Sequence, residues 1–169
     1  MAKLVPNTQT GSLTDHQHGT DDTLILGPGS GPSDLQISLF GDALAMYDNS
    51  RGGDDTLIGG ANANNALTGD ARFMVDHARG GNDTLIGGAG AINFLNGDAL
   101  EMHDNTRGGN DMLIGAAGAI FNFFLGDASD MYDYSRGGND TLTGGAIRTT
   151  SCSVTPSPCT ATPAAAMTR

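Results

Sequence analysis

The chain has 169 residues, of which 26 are Gly, with 5% aromatic residues and no Trp. This composition leaves little bulky apolar material for the core of a conventional globular domain. The formal net charge is −11, and all but one of the 19 acidic residues are Asp. Because an acidic chain without a basic patch does not attract phosphates, we expect no nucleic-acid partner and no binding to anionic membranes. No segment reaches the roughly 18 apolar residues that span a bilayer, so we expect no membrane insertion.

The two ends of the chain differ in composition from the part between them. Residues 1–17 are polar and unpatterned, and residues 146–169 are rich in Ser, Thr, Pro and Ala. Such segments cannot bury enough apolar surface to order themselves, so we predict that both are disordered. Cys152 and Cys159 lie in the second segment, and no disulfide framework holds the remainder. The predicted folded domain therefore covers residues 18–145.

Within this domain a ten-residue motif recurs. Its pattern is Arg-Gly-Gly-(Asn/Asp)-Asp-(Thr/Met)-Leu-(Ile/Thr)-Gly-(Gly/Ala), and copies begin at Arg51, Arg79, Arg107 and Arg136, with a degenerate copy at His18. Successive copies are separated by 33, 28, 28 and 29 residues. A second motif, Gly-Asp-Ala-x-x-Met-x-Asp, precedes each of the four Arg residues at a constant distance. A fixed period of this size predicts a stack of structural repeats.

The repeats are predicted to be strands. A helix would lose roughly 1 kcal/mol for each interior Gly relative to Ala, whereas short Thr-Leu-Ile runs bounded by Gly suit strands. We therefore predict an all-β fold, a parallel β-solenoid of the β-roll or β-helix kind. It would have four to five coils, one for each 28-residue repeat, with neighbouring coils about 4.8 Å apart.

Stacking in register places like residues above one another. The predicted core columns are Leu24, Leu57, Leu85, Leu113 and Leu142; Leu39, Leu67, Leu95 and Phe124; Ala43, Ala71, Ala99 and Ala128; and Met46, Met74, Met102 and Met131. The Met column is interpreted as core filler, not as a soft-metal site. A further column of Asn65, Asn93 and Asn122 predicts a ladder of side-chain hydrogen bonds.

Asp residues form three such columns as well. The first row is Asp22, Asp55, Asp83, Asp111 and Asp140; the second is Asp42, Asp70, Asp98 and Asp127; the third is Asp48, Asp76, Asp104 and Asp133. Two unit charges about 5 Å apart repel by about 0.8 kcal/mol in water and by about 3 kcal/mol at an effective dielectric constant of 20. A bound cation would offset this repulsion. Carboxylates and the carbonyls of Gly-rich turns are hard oxygen ligands, which favour calcium over magnesium because calcium tolerates flexible geometry.

The segment Gly80–Gly88, Gly-Gly-Asn-Asp-Thr-Leu-Ile-Gly-Gly, resembles the calcium-binding nonapeptide of RTX, or hemolysin-type, proteins. The resemblance covers about residues 20–145. It implies a parallel β-roll whose turns bind calcium, in a protein that is secreted or held at the cell surface. It also implies that Asp22, Asp55, Asp83, Asp111 and Asp140 are calcium ligands. The second row, Asp42, Asp70, Asp98 and Asp127, is a further candidate ligand row.

Each Asp row also has an interpretation without a metal. Carboxylates of the first two rows could cap their own turns by accepting backbone N–H groups. For the third row we favour pairing with the Arg that follows three residues later, as Asp48 would pair with Arg51.

The sequence therefore predicts a calcium-binding protein whose folding depends on calcium. We expect no enzymatic activity, because the chain has no nucleophile elbow, zinc-binding helix motif or Walker loop and its His residues do not recur in phase. One alternative is a structural or adhesive module that associates end to end into filaments, with calcium only as a structural ion. Another is a piece of a larger secreted enzyme whose catalytic part lies outside this chain.

Overall fold

The computed structural model describes residues 3–4, 11–29, 36–145 and 150–153. Every regular element in these ranges is a short β-strand, and they contain no helix that could cross a membrane. In chain order the strands are β1 (Lys3–Leu4), β2 (Ser12–Leu13), β3 (Thr23–Ile25), β4 (Ile37–Phe40), β5 (Ala43–Met46), β6 (Thr56–Ile58), β7 (Asn64–Thr68), β8 (Ala71–Met74), β9 (Thr84–Ile86), β10 (Ile92–Asn96), β11 (Ala99–Met102), β12 (Met112–Ile114), β13 (Phe121–Leu125), β14 (Ala128–Met131), β15 (Thr141–Thr143) and β16 (Thr150–Ser153).

The strands form three parallel sheets, and each of the four complete coils, from β3–β5 to β12–β14, contributes one strand to each sheet. Sheet 1 has the order β1-β3-β6-β9-β12-β15, sheet 2 the order β4-β7-β10-β13-β16, and sheet 3 the order β2-β5-β8-β11-β14. Register follows the repeat, since Leu57 pairs with Leu85 and Leu85 with Leu113. The predicted all-β parallel β-solenoid, with one coil for each repeat, is confirmed.

At two of the corners between sheets, a residue with left-handed backbone conformation turns the chain. After sheet 3 the turn uses a left-handed Asp in every coil, with φ of 56° at Asp48 and 64° at Asp76. Asp tolerates this conformation better than most residues because its short side chain bonds locally. Before sheet 2 the left-handed position is held by Asn62, Gly90 and Gly118, at φ of 52°, 64° and 77°. The third Asp row thus has a conformational role in the turns.

The interior consists of two apolar clusters that run along the stack. One contains the Leu columns of sheets 1 and 2, and Phe124 takes the last position of the sheet 2 column. The other contains the Ala and Met columns of sheet 3. Leu57, Leu85 and Met74 are fully buried. The predicted core columns are therefore confirmed, with Ala128 and Met131 at the end of the stack only partly buried.

The predicted Asn ladder is also confirmed. The Nδ2 group of Asn65 donates to Oδ1 of Asn93 at 2.7 Å, and Asn93 donates to Asn122 at the same distance. Within its own coil, Asn93 accepts from the N–H of Gly88 and donates to its carbonyl. Because Asn65, Asn93 and Asn122 are fully buried, these bonds satisfy polar groups that water cannot reach, while Nδ2 of Asn122, the last rung, has no partner among the described residues.

The predicted disorder of residues 1–17 and 146–169 falls largely outside the described residues. The short stretches that are described there, β1, β2 and β16, pair with β3, β5 and β13. The division of the chain into a folded domain and two disordered ends stays a prediction.

The predicted pairing of the third Asp row with Arg is wrong. Among the described residues the one contact within 4.0 Å between a basic and an acidic side chain is that of His103 with Glu101, at 3.3 Å. The left-handed residue lies between the end of sheet 3 and the Arg and changes the chain direction there. Along the row, the N–H of Asp48 instead donates to Oδ2 of Asp76 at 3.3 Å.

Candidate metal centre

The first Asp row lies inside the solenoid because of strand alternation. In each coil an Asp stands two residues before the buried Leu of sheet 1, so both side chains point to the same face. Asp55 is 2% exposed and Leu57 is fully buried, whereas the intervening Thr56 lies on the other face and is partly exposed. The same alternation places Asp83 and Asp111 inside, at 1% and 2% exposure.

Each buried carboxylate of this row binds the coil before it. The N–H of Asp22 donates to Oδ1 of Asp55 at 2.7 Å, and the N–H of Asp55 donates to Oδ1 of Asp83 at 2.7 Å. Asp111 and Asp140 continue the series at 2.8 and 3.0 Å. The carboxylates therefore do cap backbone N–H groups, but the groups belong to the neighbouring coil and not to their own turn.

The second Asp row caps a turn within its own repeat. Here the N–H of a motif Gly donates to the Asp that precedes it by eleven residues. The distances are 3.0 Å from Gly53 to Asp42 and 2.8 Å from Gly81 to Asp70. In the later coils Gly109 and Gly138 donate to Asp98 and Asp127 at 2.6 and 2.5 Å. Asp70 and Asp98 are completely buried.

These bonds use only one oxygen of most carboxylates. Among the residues that the structure describes, the buried carboxylate oxygens without a hydrogen-bond partner are Oδ1 of Asp42 and Oδ2 of Asp55, Asp70, Asp83, Asp98, Asp111 and Asp140. Leaving a buried acceptor without a donor costs about 1 to 3 kcal/mol, and more for a charged group. These buried oxygens need a hydrogen-bond donor or a cation as partner, and the carboxyl groups can supply the donor themselves only when they are protonated.

Glycine creates the space into which these oxygens point. A Cβ atom at Gly69 would overlap both Oδ2 of Asp83 and the carbonyl oxygen of Gly97. The same arrangement recurs one coil earlier, where Gly41 faces Asp55 and the carbonyl of Gly69. Two acceptor oxygens thus converge on one position in successive coils. Because both oxygens are acceptors when Asp83 is ionised, a proton or a cation bound beside them would offset their repulsion.

Carboxylates of the second row also converge on one another. A Cβ atom at Gly52 would overlap Oδ1 of Asp70 and would stand 2.7 Å from Oδ2 of Asp42. At Gly80 the corresponding oxygens belong to Asp98 and Asp70. When both groups are ionised they can only accept hydrogen bonds, so each contact requires a proton or a cation as well.

Burial makes these carboxyl groups weak acids. Desolvation is the largest cause in every case, and the charges of neighbouring Asp residues add to it for all of them except Asp140. Burial raises the pKa of Asp42 to about 6, of Asp127 to about 7, of Asp55 to about 8 and of Asp83 to about 9. The pKa values of Asp70, Asp98 and Asp111 are raised well above the usual range, and that of Asp140 is raised too.

One of the predicted ligands, Asp22, lies in a different environment from the others. Asp22 is only partly buried, and its Oδ2 accepts from the hydroxyl of Thr20 at 3.1 Å. The other eight predicted ligands lie in the two inward rows. Nowhere in the described ranges do three or more His, Cys, Asp or Glu side chains converge closely enough to hold a metal by themselves. A metal here would take carboxylate oxygens from one or two residues together with backbone carbonyls such as that of Gly97.

A further polar row was not anticipated from the sequence. On the outside of the same turns, Asp54 accepts from the N–H of Asn82 at 2.8 Å and Asn82 from that of Asn110 at 2.9 Å. These bonds run in the opposite direction to those of the first Asp row, from each backbone N–H to the previous coil. The sequence feature that could have predicted this outer row is the Asn or Asp that directly precedes the buried Asp in every motif.

Comparison of the chain with protein-family models, with curated proteins and with solved structures finds no match. The fold itself, a parallel β-solenoid of about four turns, is compatible with a β-roll repeat protein.

Proposed function

We propose that this protein binds calcium ions along the first and second Asp rows, and that calcium stabilises the folded solenoid. The observation that carries this proposal is the set of seven buried carboxylate oxygens without a donor, in the two rows that face the interior. Hard anionic oxygens that lie beside backbone carbonyls are the ligands that calcium prefers. The proposed ligands are Asp42, Asp55, Asp70, Asp83, Asp98, Asp111, Asp127 and Asp140.

A cation is favoured over shared protons at alkaline pH. The pKa of Asp42 is about 6 and that of Asp127 about 7, whereas those of Asp55 and Asp83 are about 8 and 9, so ionisation begins near neutral pH at the two ends of the second row and reaches the first row as pH rises. Each further ionisation places negative charge next to carboxylates that already repel one another. A divalent cation removes this repulsion in several coils at once, whereas protons must be supplied one for each contact.

The recurrence of a Gly-Gly-(Asn/Asp)-Asp turn in four successive coils supports a function of the RTX type. The proposal includes release of the protein to the cell exterior or its surface, where calcium is more abundant than in the cytoplasm. Its coil of 28 residues contains one such turn, so each coil would supply its second set of oxygens from the Gly-Asp-Ala motif.

The direct test is far-UV circular dichroism and thermal melting at about pH 8, first in chelator and then with millimolar calcium. We expect calcium to increase the β signal, the melting temperature or both. Identical spectra and melting curves under the two conditions would overturn the proposal. A chain that is fully ordered in chelator and stabilised only by acid would show that protons satisfy the carboxyls.

Two matched variants locate the sites. Asp83→Asn keeps an oxygen for the N–H of Asp55 but replaces the unpaired Oδ2 with an uncharged amide. Asp54→Asn removes one negative charge on the outside of the solenoid. The new Asn matches Asn82 and Asn110, which occupy the equivalent positions in the next two coils. By calorimetry, Asp83→Asn should lose one or two calcium sites and Asp54→Asn none. An equal loss in both variants would exclude the interior location.

A further inference from the structure

One surface groove of this acidic protein is lined by cationic and imidazole side chains. Its volume is about 310 Å³, and its lining residues are His16, His18, Asn49, Arg51, His77 and Arg79. None of these side chains is acidic, and each can donate hydrogen bonds. The groove lies at the corner between sheet 3 and sheet 1, on the outside of the solenoid.

The stacking of coils builds the cationic side of this groove. His18 pairs with Arg51, Arg51 with Arg79, Arg79 with Arg107 and Arg107 with Arg136, each through a parallel bridge. The backbone is held in place there, since the N–H of Arg51 donates to Gln17 and that of Arg79 to Ser50, both at 3.0 Å. Like charges one coil apart, at about 5 Å, repel by about 0.8 kcal/mol in water. An anion between neighbouring rungs would reverse this repulsion.

No carboxylate of the described residues takes that position. Arg51 and Arg79 are exposed and neither has an acidic oxygen within 4.0 Å. An acidic row, Asp15, Asp48 and Asp76, lies three residues before His18, Arg51 and Arg79, and Oδ2 of Asp76 accepts from the N–H of Asp48 at 3.3 Å. The guanidinium groups are therefore open to a ligand from solution.

We propose that the groove is a binding site for a phosphate or sulfate group. Guanidinium groups bind such tetrahedral oxyanions through paired N–H donors, which makes Arg the residue best suited to this task. Arg51 and Arg79 hold the anion from two adjacent coils, and Asn49, His18 and His77 supply further donors from the lining. The row continues beyond the groove to Arg107 and Arg136. A linear ligand with several sulfate or phosphate groups, such as a sulfated sugar chain, can therefore occupy more than one rung and gains avidity.

The first test needs no variant. Sodium sulfate is titrated into the wild-type protein, folded as judged by circular dichroism, while the imidazole signals are followed by NMR. His18 and His77 should shift with a saturable dependence on sulfate. His103 is the internal control, because its ring stacks on Tyr132 at 4.6 Å and contacts Glu101. Equal, non-saturating shifts of all the His signals would show a general salt effect and overturn the site.

Variants then assign the binding to the groove. The double variant Arg51→Gln, Arg79→Gln should weaken sulfate binding at least about tenfold, as expected when charge-assisted hydrogen bonds are lost. Arg136→Gln removes an Arg of the same row outside the groove and should change sulfate affinity less than about twofold. Equal losses in the two variants would refute the groove as the site.

The source of the anion is distinguished by a third measurement. A sulfated oligosaccharide should bind the wild type more tightly than inorganic sulfate, and Arg136→Gln should weaken the oligosaccharide but not the free ion. If a single-stranded oligonucleotide of equal charge binds better than the oligosaccharide, the assignment to a sulfated sugar chain is wrong.

Discussion

The backbone N–H of Asp55 donates to Oδ1 of Asp83 in the next coil, at 2.7 Å, while Oδ2 of Asp83 accepts from no donor of the described residues. One oxygen of the carboxylate therefore joins two coils, and the other is available for a ligand. Any change in the charge of Asp83 must affect the contact between coils, so ion binding and the stability of the stack are linked.

The first prediction concerns pH in the absence of calcium. Burial raises the pKa of Asp55 to about 8 and of Asp83 to about 9, so the folded state binds more protons than the unfolded chain above about pH 4. This excess makes the unfolding free energy fall as pH rises from about 4 through those folded pKa values. The expected loss is several kcal/mol in total, since one pKa unit corresponds to about 1.4 kcal/mol. Urea denaturation in metal-free buffer at several pH values measures it, and stability that rises between pH 5 and 9 would contradict it.

The second prediction is that calcium displaces protons. Carboxyl groups with pKa values of about 8 and 9 are largely protonated at pH 7, and metal binding requires the ionised form. Calorimetric titrations at this pH in buffers of different ionisation enthalpy should therefore report net proton release, and the apparent calcium affinity should increase with pH. A binding enthalpy that does not depend on the buffer would mean that the ligands are already ionised.

The third prediction compares the buried Asn ladder with the exposed polar row of Asp54, Asn82 and Asn110. Asn93→Ala removes the acceptor of Asn65 and leaves the N–H and carbonyl of Gly88 unpaired in the core. We expect it to lower the unfolding free energy by about 2 to 5 kcal/mol, because each unsatisfied buried group costs about 1 to 3 kcal/mol. Asn82→Ala deletes an exposed rung of the outer row, where water replaces the lost partners, and should cost less than about 1 kcal/mol. Chemical denaturation of both variants checks the difference.

The fourth prediction tests how closely the coils stack. A Cβ atom at Gly81 would overlap the carbonyl oxygen of Gly53 in the preceding coil, which is backbone and cannot rotate away. Gly81→Ala should therefore destabilise the solenoid by more than about 3 kcal/mol, in the range of severe core defects. Gly11→Ala is the control, since no atom of the described residues lies within 4 Å of the added methyl group there. Similar melting temperatures for the two variants would show that the stack can expand.

The core of this fold could be predicted from the sequence because identical residues at a fixed spacing stack in register. Leu85 over Leu57 and Asn93 over Asn65 follow directly from that rule. Predicting which Asp side chains point into the interior requires strand alternation as well. Asp54 and Asp55 are chemically identical neighbours, and only the parity that Asp55 shares with Leu57 places its carboxylate inside. That parity was present in the sequence, in the Asp-Thr-Leu order of the motif.

The relation between Asp48 and Arg51 was not predictable in the same way. Their separation of three residues suggested an ion pair, but the chain between them passes through a left-handed turn, with φ of 56° at Asp48. A net charge of −11 also concealed a local row of Arg side chains. The net charge is a sum over the whole chain and does not show how charges are distributed. In a solenoid, the equivalent residues of successive repeats lie in one row on the surface, so one Arg in each repeat forms a basic row.

The opposite directions of the inner and outer hydrogen-bond rows give every coil the same pair of faces. Toward the next coil, each rung offers the N–H of an inner Asp and the side-chain oxygen of the outer Asx residue, as Asp55 and Asp54 do toward Asp83 and Asn82. The next coil offers the complementary groups. Loss or duplication of one whole repeat therefore joins surfaces that already match, without any new interface. The number of coils is free to change by recombination, while the register between them is not.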